Sequence, residues 1–163
     1  MAKDATSADK GKLICTDGHI HANSADAECT KARVAKIIYI GATGDATYSH
    51  GLALALTDEG QKDWTTAGTT CSGKNTSTPV TGATWLLASK DQWNTMITAA
   101  GSYTALRDGF SSITGASNLM SDYYWSSKEE NEDNAWRYWF YEGGWNSITK
   151  SHALTYVRSC LAF

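Results

Sequence analysis

The sequence predicts an α+β domain of mixed small antiparallel sheets with about two helices. Apolar and β-branched runs come first, helical patterns follow, and everything after Tyr123 reads as strand or loop, an α+β order rather than a βαβ repeat. Only 19% of the 163 residues are charged, while 14 are glycine and 11% aromatic, a mixture suited to short strands and turns. The length fits one domain with its own core. A polar stretch over residues 1–10 is expected to be a flexible tail, and residues 11–163 a single domain.

The elements follow in order. Leu13-Ile14-Cys15 before Thr16-Asp17-Gly18 is a short strand entering a turn. Asn23 or Ser24 is suited to cap a short helix from Ala25 to Lys31. Val34 to Ile40 is a strand, Gly41 to Asp45 a hairpin loop, and Tyr48 to Leu56 the returning strand. In that strand His50, Leu52, Leu54 and Leu56 share one face, opposite the small residues Gly51, Ala53 and Ala55. Residues 65–81 are dense in Thr, Ser and Gly and read as loop, with Pro79 the sole proline. Ser89 is a good N-cap for a helix from Lys90 to Ala100 that buries Trp93 and Ile97. A second helix runs from Tyr103 to about Ile113.

Composition excludes several classes of function. Net charge is −3 with no basic stripe, which argues against a nucleic-acid partner. No apolar run is long enough for direct membrane insertion. The start Met1-Ala2-Lys3-Asp4 lacks the apolar stretch of a signal peptide, as expected of a phage structural protein or of a piece of a longer exported chain. Cys15, Cys29, Cys71 and Cys160 are widely spaced without a CxxC pair; they read as buried thiols, with disulfides the alternative, and not as a zinc site. His19 and His21 lack a third metal ligand, and His50 reads as a core histidine. GxSxG, HExxH and a phosphate-cradling Gly-rich loop are all missing, so neither catalysis nor a cofactor is expected.

The segment Tyr123–Phe163 is the most informative. It holds four of the seven tryptophans, in a period-two register that places Trp136, Tyr138 and Phe140 on one side and Arg137, Trp139 and Tyr141 on the other. A strand with aromatics on both faces is either buried twice or buried once and binding with the second face. Interleaved Arg, Trp, Tyr, Asn and His are residues that anchor interfaces. The first set, with Trp125, is expected to be core. Arg137, Trp139 and Tyr141 are expected to be exposed, with Gly143-Gly144 turning Asn146 and Ile148 in beside them.

The frame Tyr124-Trp125-Ser126-Ser127, Asn134-Ala135-Trp136, Tyr138, Phe140, Gly144-Trp145, Lys150, Tyr156-Val157-Arg158 and Leu161-Ala162-Phe163 resembles the variable proteins of diversity-generating retroelements. Residues 51–56 and Thr84 to Ser89, with Asp91 and Trp93, resemble the core strand and helix entry of that family. The resemblance implies a C-type lectin-like fold. It also implies a ligand- or receptor-binding domain whose outward residues vary because adenines of a template are miscopied, scattering Asn codons. Carried onto this chain, the ligand-binding variable positions are Asn131, Asp133, Arg137, Tyr141, Asn146, Ile148, Ser151, His152, Ala153 and Leu154. Trp139 shares their face, although neither Trp nor Glu142 arises from such an Asn codon, so they derive from other codons or belong to the frame. The implied partner is a protein or other surface receptor of a host or neighbouring cell, met at a phage tail or a bacterial cell surface; an oligomer is possible.

Two relatives of that architecture provide contrasts. Formylglycine-generating enzymes use a close cysteine pair, whereas the C-terminal half here has only Cys160. Calcium-dependent sugar-binding lectins carry Glu-Pro-Asn or Gln-Pro-Asp with Trp-Asn-Asp; here Pro79 sits in Thr78-Pro79-Val80 and Trp145-Asn146-Ser147 lacks the carboxylate. The acidic run Glu129 to Asn134 reads as a solvated loop. The rival readings are an enzyme of the formylglycine-generating type and a structural module whose aromatic face is an oligomer contact.

Overall fold

In the computed structural model, which describes residues 1–22 and 31–163, the N-terminal strands assemble around β3 (Arg33–Ile40). It pairs antiparallel with β1 (Leu13–Cys15) on one side and β4 (Gly51–Ala55) on the other, and β2 (Ile20–His21) extends the sheet beyond β1. Beyond β4 come β11 (Cys160–Ala162) and then β6 (Thr84–Leu86), giving a six-stranded sheet that joins the two ends of the domain. A second sheet has the order β5 (Gln61–Lys62), β10 (Thr155–Tyr156), β7 (Tyr123–Glu129), β8 (Asn134–Trp139) and β9 (Gly144–Thr149); only β10 and β7 run parallel. The architecture is α+β with small, mainly antiparallel sheets. Three α-helices lie among the described residues, and the expected helix of Ala25–Lys31 with its Asn23 or Ser24 cap falls, but for Lys31, on residues outside them.

β4 shows why this alternation forms a central strand: all five residues are buried. Leu52 and Leu54 face a core with Trp93, Phe110, Tyr124 and Phe140, while Ala53 and Ala55 face a second core with Ile37, Trp85, Leu161 and Phe163. At Gly51 a Cβ would collide with the Phe163 ring and the Tyr39 carbonyl, so only glycine admits the close approach. The strand starts three residues later than the sequence indicates. Thr43 donates to the Tyr48 carbonyl (2.6 Å) and Asp45 accepts from the Thr47 and Tyr48 N–H groups (each 2.8 Å), which prolongs the turn.

The helices are capped by their own sequence. In α2 (Lys90–Ala100) the Ser89 hydroxyl accepts from Gln92 N (3.1 Å) while Gln92 Oε1 accepts from Ser89 N (2.8 Å), a reciprocal capping box. Trp93 and Met96 are its fully buried residues; Ile97, expected in the core, lies at its margin. α3 (Tyr103–Asp108) starts where expected and stops five residues short. The stretch expected as loop instead forms α1 (Trp64–Ser77), capped by Asp63, which accepts from Thr66 N (3.0 Å). It buries only the small residues Ala67 and Cys71, and packs them against Leu87, Trp125, Ala135 and Val157.

Residues 1–10 are not the flexible tail that their polarity suggests. They form two short 3₁₀ turns, and Ala2 and Ala5 are 1% and 3% exposed in the second core. The C-terminal run from Tyr156 to Leu161 is divided between the two sheets. Between its halves Arg158 turns inward, fully buried: Nη1 donates to the Ala55 carbonyl (2.9 Å) and Nη2 to those of Ser117 (2.9 Å) and Asn118 (3.2 Å). Its Nε lies 2.7 Å from Asp58 Oδ1 without hydrogen-bond alignment, and Asp58 Oδ2 accepts from the Tyr124 hydroxyl (2.7 Å). Cys15 is disulfide-bonded, correcting its reading as a thiol, whereas Cys71 and Cys160 are buried free thiols.

Candidate ligand-binding face

Register decides what each side chain of the second sheet faces. β7 pairs Tyr123 with Trp139, Tyr124 with Tyr138 and Trp125 with Arg137, and β9 places Asn146 opposite Arg137 and Ile148 opposite Ala135. Cross-strand partners share a face. One face therefore carries Tyr124, Trp136, Tyr138 and Trp145, and the other Tyr123, Trp125, Ala135, Arg137, Trp139, Asn146 and Ile148. On the inner face Tyr124 and Tyr138, with Phe140 beyond the end of β8, are buried; Trp93 meets Tyr124 and Phe140 edge-on at ring separations of 6.1 and 5.6 Å.

Trp125 is core as expected, whereas Trp136 is not. Trp125 has outer-face parity yet is fully buried, because α1 covers that half of the outer face. Trp136 has inner-face parity but is only half-buried: it lies beyond the core, under the ammonium of Lys90 at 3.6 Å. Ile148 is likewise not exposed as expected; it packs beside Trp64 under α1.

Past the end of α1 the outer face is open and carries a row of stacked groups. The Arg137 guanidinium lies 3.7 Å from the centre of the Tyr123 ring. Tyr123 stacks on Trp139 at 5.3 Å and 12°, and Trp139 on Tyr141 at 5.7 Å and 30°. Tyr141 is 60% exposed, while Tyr123, Arg137 and Trp139 are half-buried by each other. Arg137 Nε donates to Asn146 Oδ1 (2.9 Å) and Nη1 to Thr155 Oγ1 (3.2 Å). Both acceptors are neutral, and burial lowers the Arg137 pKa from its ordinary value. Gly143, at φ +78°, makes the β8–β9 turn and packs against Tyr103, which anchors this end of the row on α3.

The positions carried over from the resemblance separate into two groups. Arg137, Trp139, Tyr141 and Asn146 belong to the open row, and Leu154, 64% exposed, precedes the Thr155 that Arg137 reaches. Asn131, Asp133 and Ser151 are exposed at the other end of the β7–β8–β9 meander, with Ala153 exposed and His152 half-buried in the following loop. There Asn131 Oδ1 accepts from the N–H groups of Asp133 (3.0 Å) and Asn134 (2.9 Å), and Lys150 donates to the Glu132 carbonyl (2.6 Å). At roughly 3.3 Å per residue the two groups lie on the order of 15–20 Å apart along β8. Tyr123 and Thr155 were missed from sequence. Tyr123 becomes visible once the acidic run is taken as the β7–β8 turn, because its register then falls opposite Trp139.

The two free thiols, 0% exposed, lie near enough to interact: burial pushes the Cys71 thiol up to about 11 and raises Cys160 further, with the neighbouring Cys71 adding to it. Fold likeness connects the chain to a fimbrial protein from Bacteroides ovatus, with a TM-score of 0.62 and 16% identity over 94% of this chain. The chain spans 48% of that protein's length. No protein-family model and no curated protein matches the sequence. Among the described residues no helix is long and apolar enough to cross a membrane.

Proposed function

We propose that this chain is a ligand-binding domain displayed at a bacterial surface, with a C-type lectin-like scaffold and the outer face of β7–β8–β9 as its recognition surface. The observation that carries this reading is the open row Arg137–Tyr123–Trp139–Tyr141 on a sheet whose other half is sealed by α1. Aromatic and Arg side chains left uncovered on a rigid sheet supply large contact area at small ordering cost. The fimbrial character of the structural neighbour supports surface display, and the C-terminal frame supports membership in the variable proteins of diversity-generating retroelements.

The domain acts by binding rather than catalysis. Its only free thiols among the described residues are sealed inside and held protonated, unlike the reactive pair of a formylglycine-generating enzyme. Binding is tested by adhesion of the fluorescently labelled chain to intact gut-bacterial cells. Trp139→Ser with Tyr141→Ser is expected to abolish adhesion without unfolding the chain, and undiminished adhesion overturns the reading. The retroelement assignment has its own test: sequencing the flanking genome, where a near-copy of the C-terminal coding segment differing almost only at adenines is expected beside a reverse transcriptase.

A further inference from the structure

We infer that the ligand of the open row is an acidic segment of a partner polypeptide, one of whose carboxylates pairs with Arg137. This deepens the proposed function and rests on the outer face being the recognition surface. Charge is the first argument. Among the described residues Arg137 has no carboxylate partner: its bonds go to the amide oxygen of Asn146 and the hydroxyl of Thr155. Asp122, the nearest acidic influence, has Oδ1 engaged by the Tyr123 N–H at 2.7 Å. Nη2 finds no protein acceptor, and it is not sealed from solvent. A guanidinium already oriented by two neutral acceptors and a ring retains a fork of donors for a carboxylate at little further ordering cost.

Ring orientation is the second argument, and it selects the source of that carboxylate. Tyr123 is stacked against both Arg137 and Trp139, and Trp139 against both Tyr123 and Tyr141, so these two rings are engaged by two neighbours each and only the terminal Tyr141, 60% exposed, has a single stacking partner. Sugars stack on ring faces, and the row has none to offer at its centre. At the centre of the row what remains for a ligand are ring edges, which carry the positive end of the aromatic quadrupole, with the tyrosine hydroxyl and the indole N–H. Edges and guanidinium together favour an anion along residues 137–141, about 13 Å at the strand rise, with the Asp122 carboxylate near the Arg137 end. That length suits four or five residues of extended peptide with carboxylates and main-chain carbonyls facing the row. Glu142, exposed next to Tyr141, sets the far limit of this stretch.

The test is a ¹⁵N-edited titration of the whole chain. The probes are a peptide of alternating Glu and Ala, its Gln-for-Glu counterpart and a uronic-acid oligosaccharide. Millimolar Glu peptide is expected to shift the Trp139 indole N–H and Arg137 Nε–H signals and to lose affinity with added salt, with the Gln peptide at least about tenfold weaker. Arg137→Gln is expected to weaken the Glu peptide by a similar factor while the melting temperature holds. Equal response to both peptides, response to the uronic oligosaccharide alone, or silence of the Trp139 signal with the Glu peptide overturns the inference. If cell adhesion is lost with Trp139→Ser and Tyr141→Ser but survives Arg137→Gln and high salt, the recognition face stands and its acidic ligand does not.

Discussion

Trp125 and Trp139 share one side of one sheet and differ in whether a helix covers them. Trp125 is fully buried and its Nε1 donates to the Lys62 carbonyl (2.8 Å). Truncating it to Ala is expected to cost about 3–5 kcal/mol, read as the shift in a chemical-denaturation midpoint. Trp136→Ala is expected to cost less than half of that, because its ring is half-buried and faces Lys90 rather than the core. Arg158 is the most demanding single residue. Replacing it with Met leaves Asp58 buried without its counter-ion and three carbonyls without donors, with an expected loss of about 3–5 kcal/mol. A loss below about 1 kcal/mol on denaturation would show that Asp58 is neutral in the folded state.

At the scale of elements, legibility followed how locally each one is determined. α2 was readable to its boundaries because Ser89, Gln92 and the Trp93 spacing are all contained in it. Ser89→Ala is expected to cost about 1 kcal/mol, checked by thermal unfolding. α1 was invisible because its Thr, Ser and Gly residues are weak helix formers. Tertiary packing decides it: Ala67 and Cys71 are small enough to seat the helix on Trp125 and Ala135. Its Asn75 also closes the edge of β6, donating to the Trp85 carbonyl (2.9 Å) and accepting from Trp85 N (2.8 Å). Asn75→Ala is expected to destabilise the chain by about 1–3 kcal/mol, since it leaves both backbone groups of a buried residue unpaired; hydrogen exchange at the Trp85 amide should rise with it. Missing α1 is also why Ile148 was expected to be exposed, and why Trp125, rightly expected in the core, was grouped with the inner face. The sequence contained the parity of each strand but not which half of the outer face would be roofed.

For the whole molecule, pH sets a predictable limit. Hydrogen bonds to the folded chain hold Asp9 down to about 2 and lower Asp45 and Asp63 from their ordinary values. A depressed folded pKa gives stability that is present above the unfolded value near 4 and is lost as pH falls through the folded one. Asp58 runs the other way: burial raises it, against the charge of Arg158, so its contribution is greatest at low pH and fades as pH rises through its folded pKa. With Asp4, Asp17 and Asp108 also lowered, six depressed carboxylates against one raised predict a melting temperature that falls steadily from about pH 5 towards pH 2. A flat profile over that range would show that the turn and cap carboxylates contribute nothing.

The same division between sealed scaffold and open row can be measured. Stability resides in the roofed half of the sheet and the two cores, and recognition in a row the fold does not need. The most direct measurement is the melting temperature of Trp139→Ser with Tyr141→Ser beside that of Trp125→Ala. The predicted result is a drop of a few degrees for the double variant, whose rings contribute about 1 kcal/mol of stacking, and a drop of roughly ten degrees or unfolding for Trp125→Ala. Equal losses in the two proteins would contradict the account, because the row would then be core rather than display.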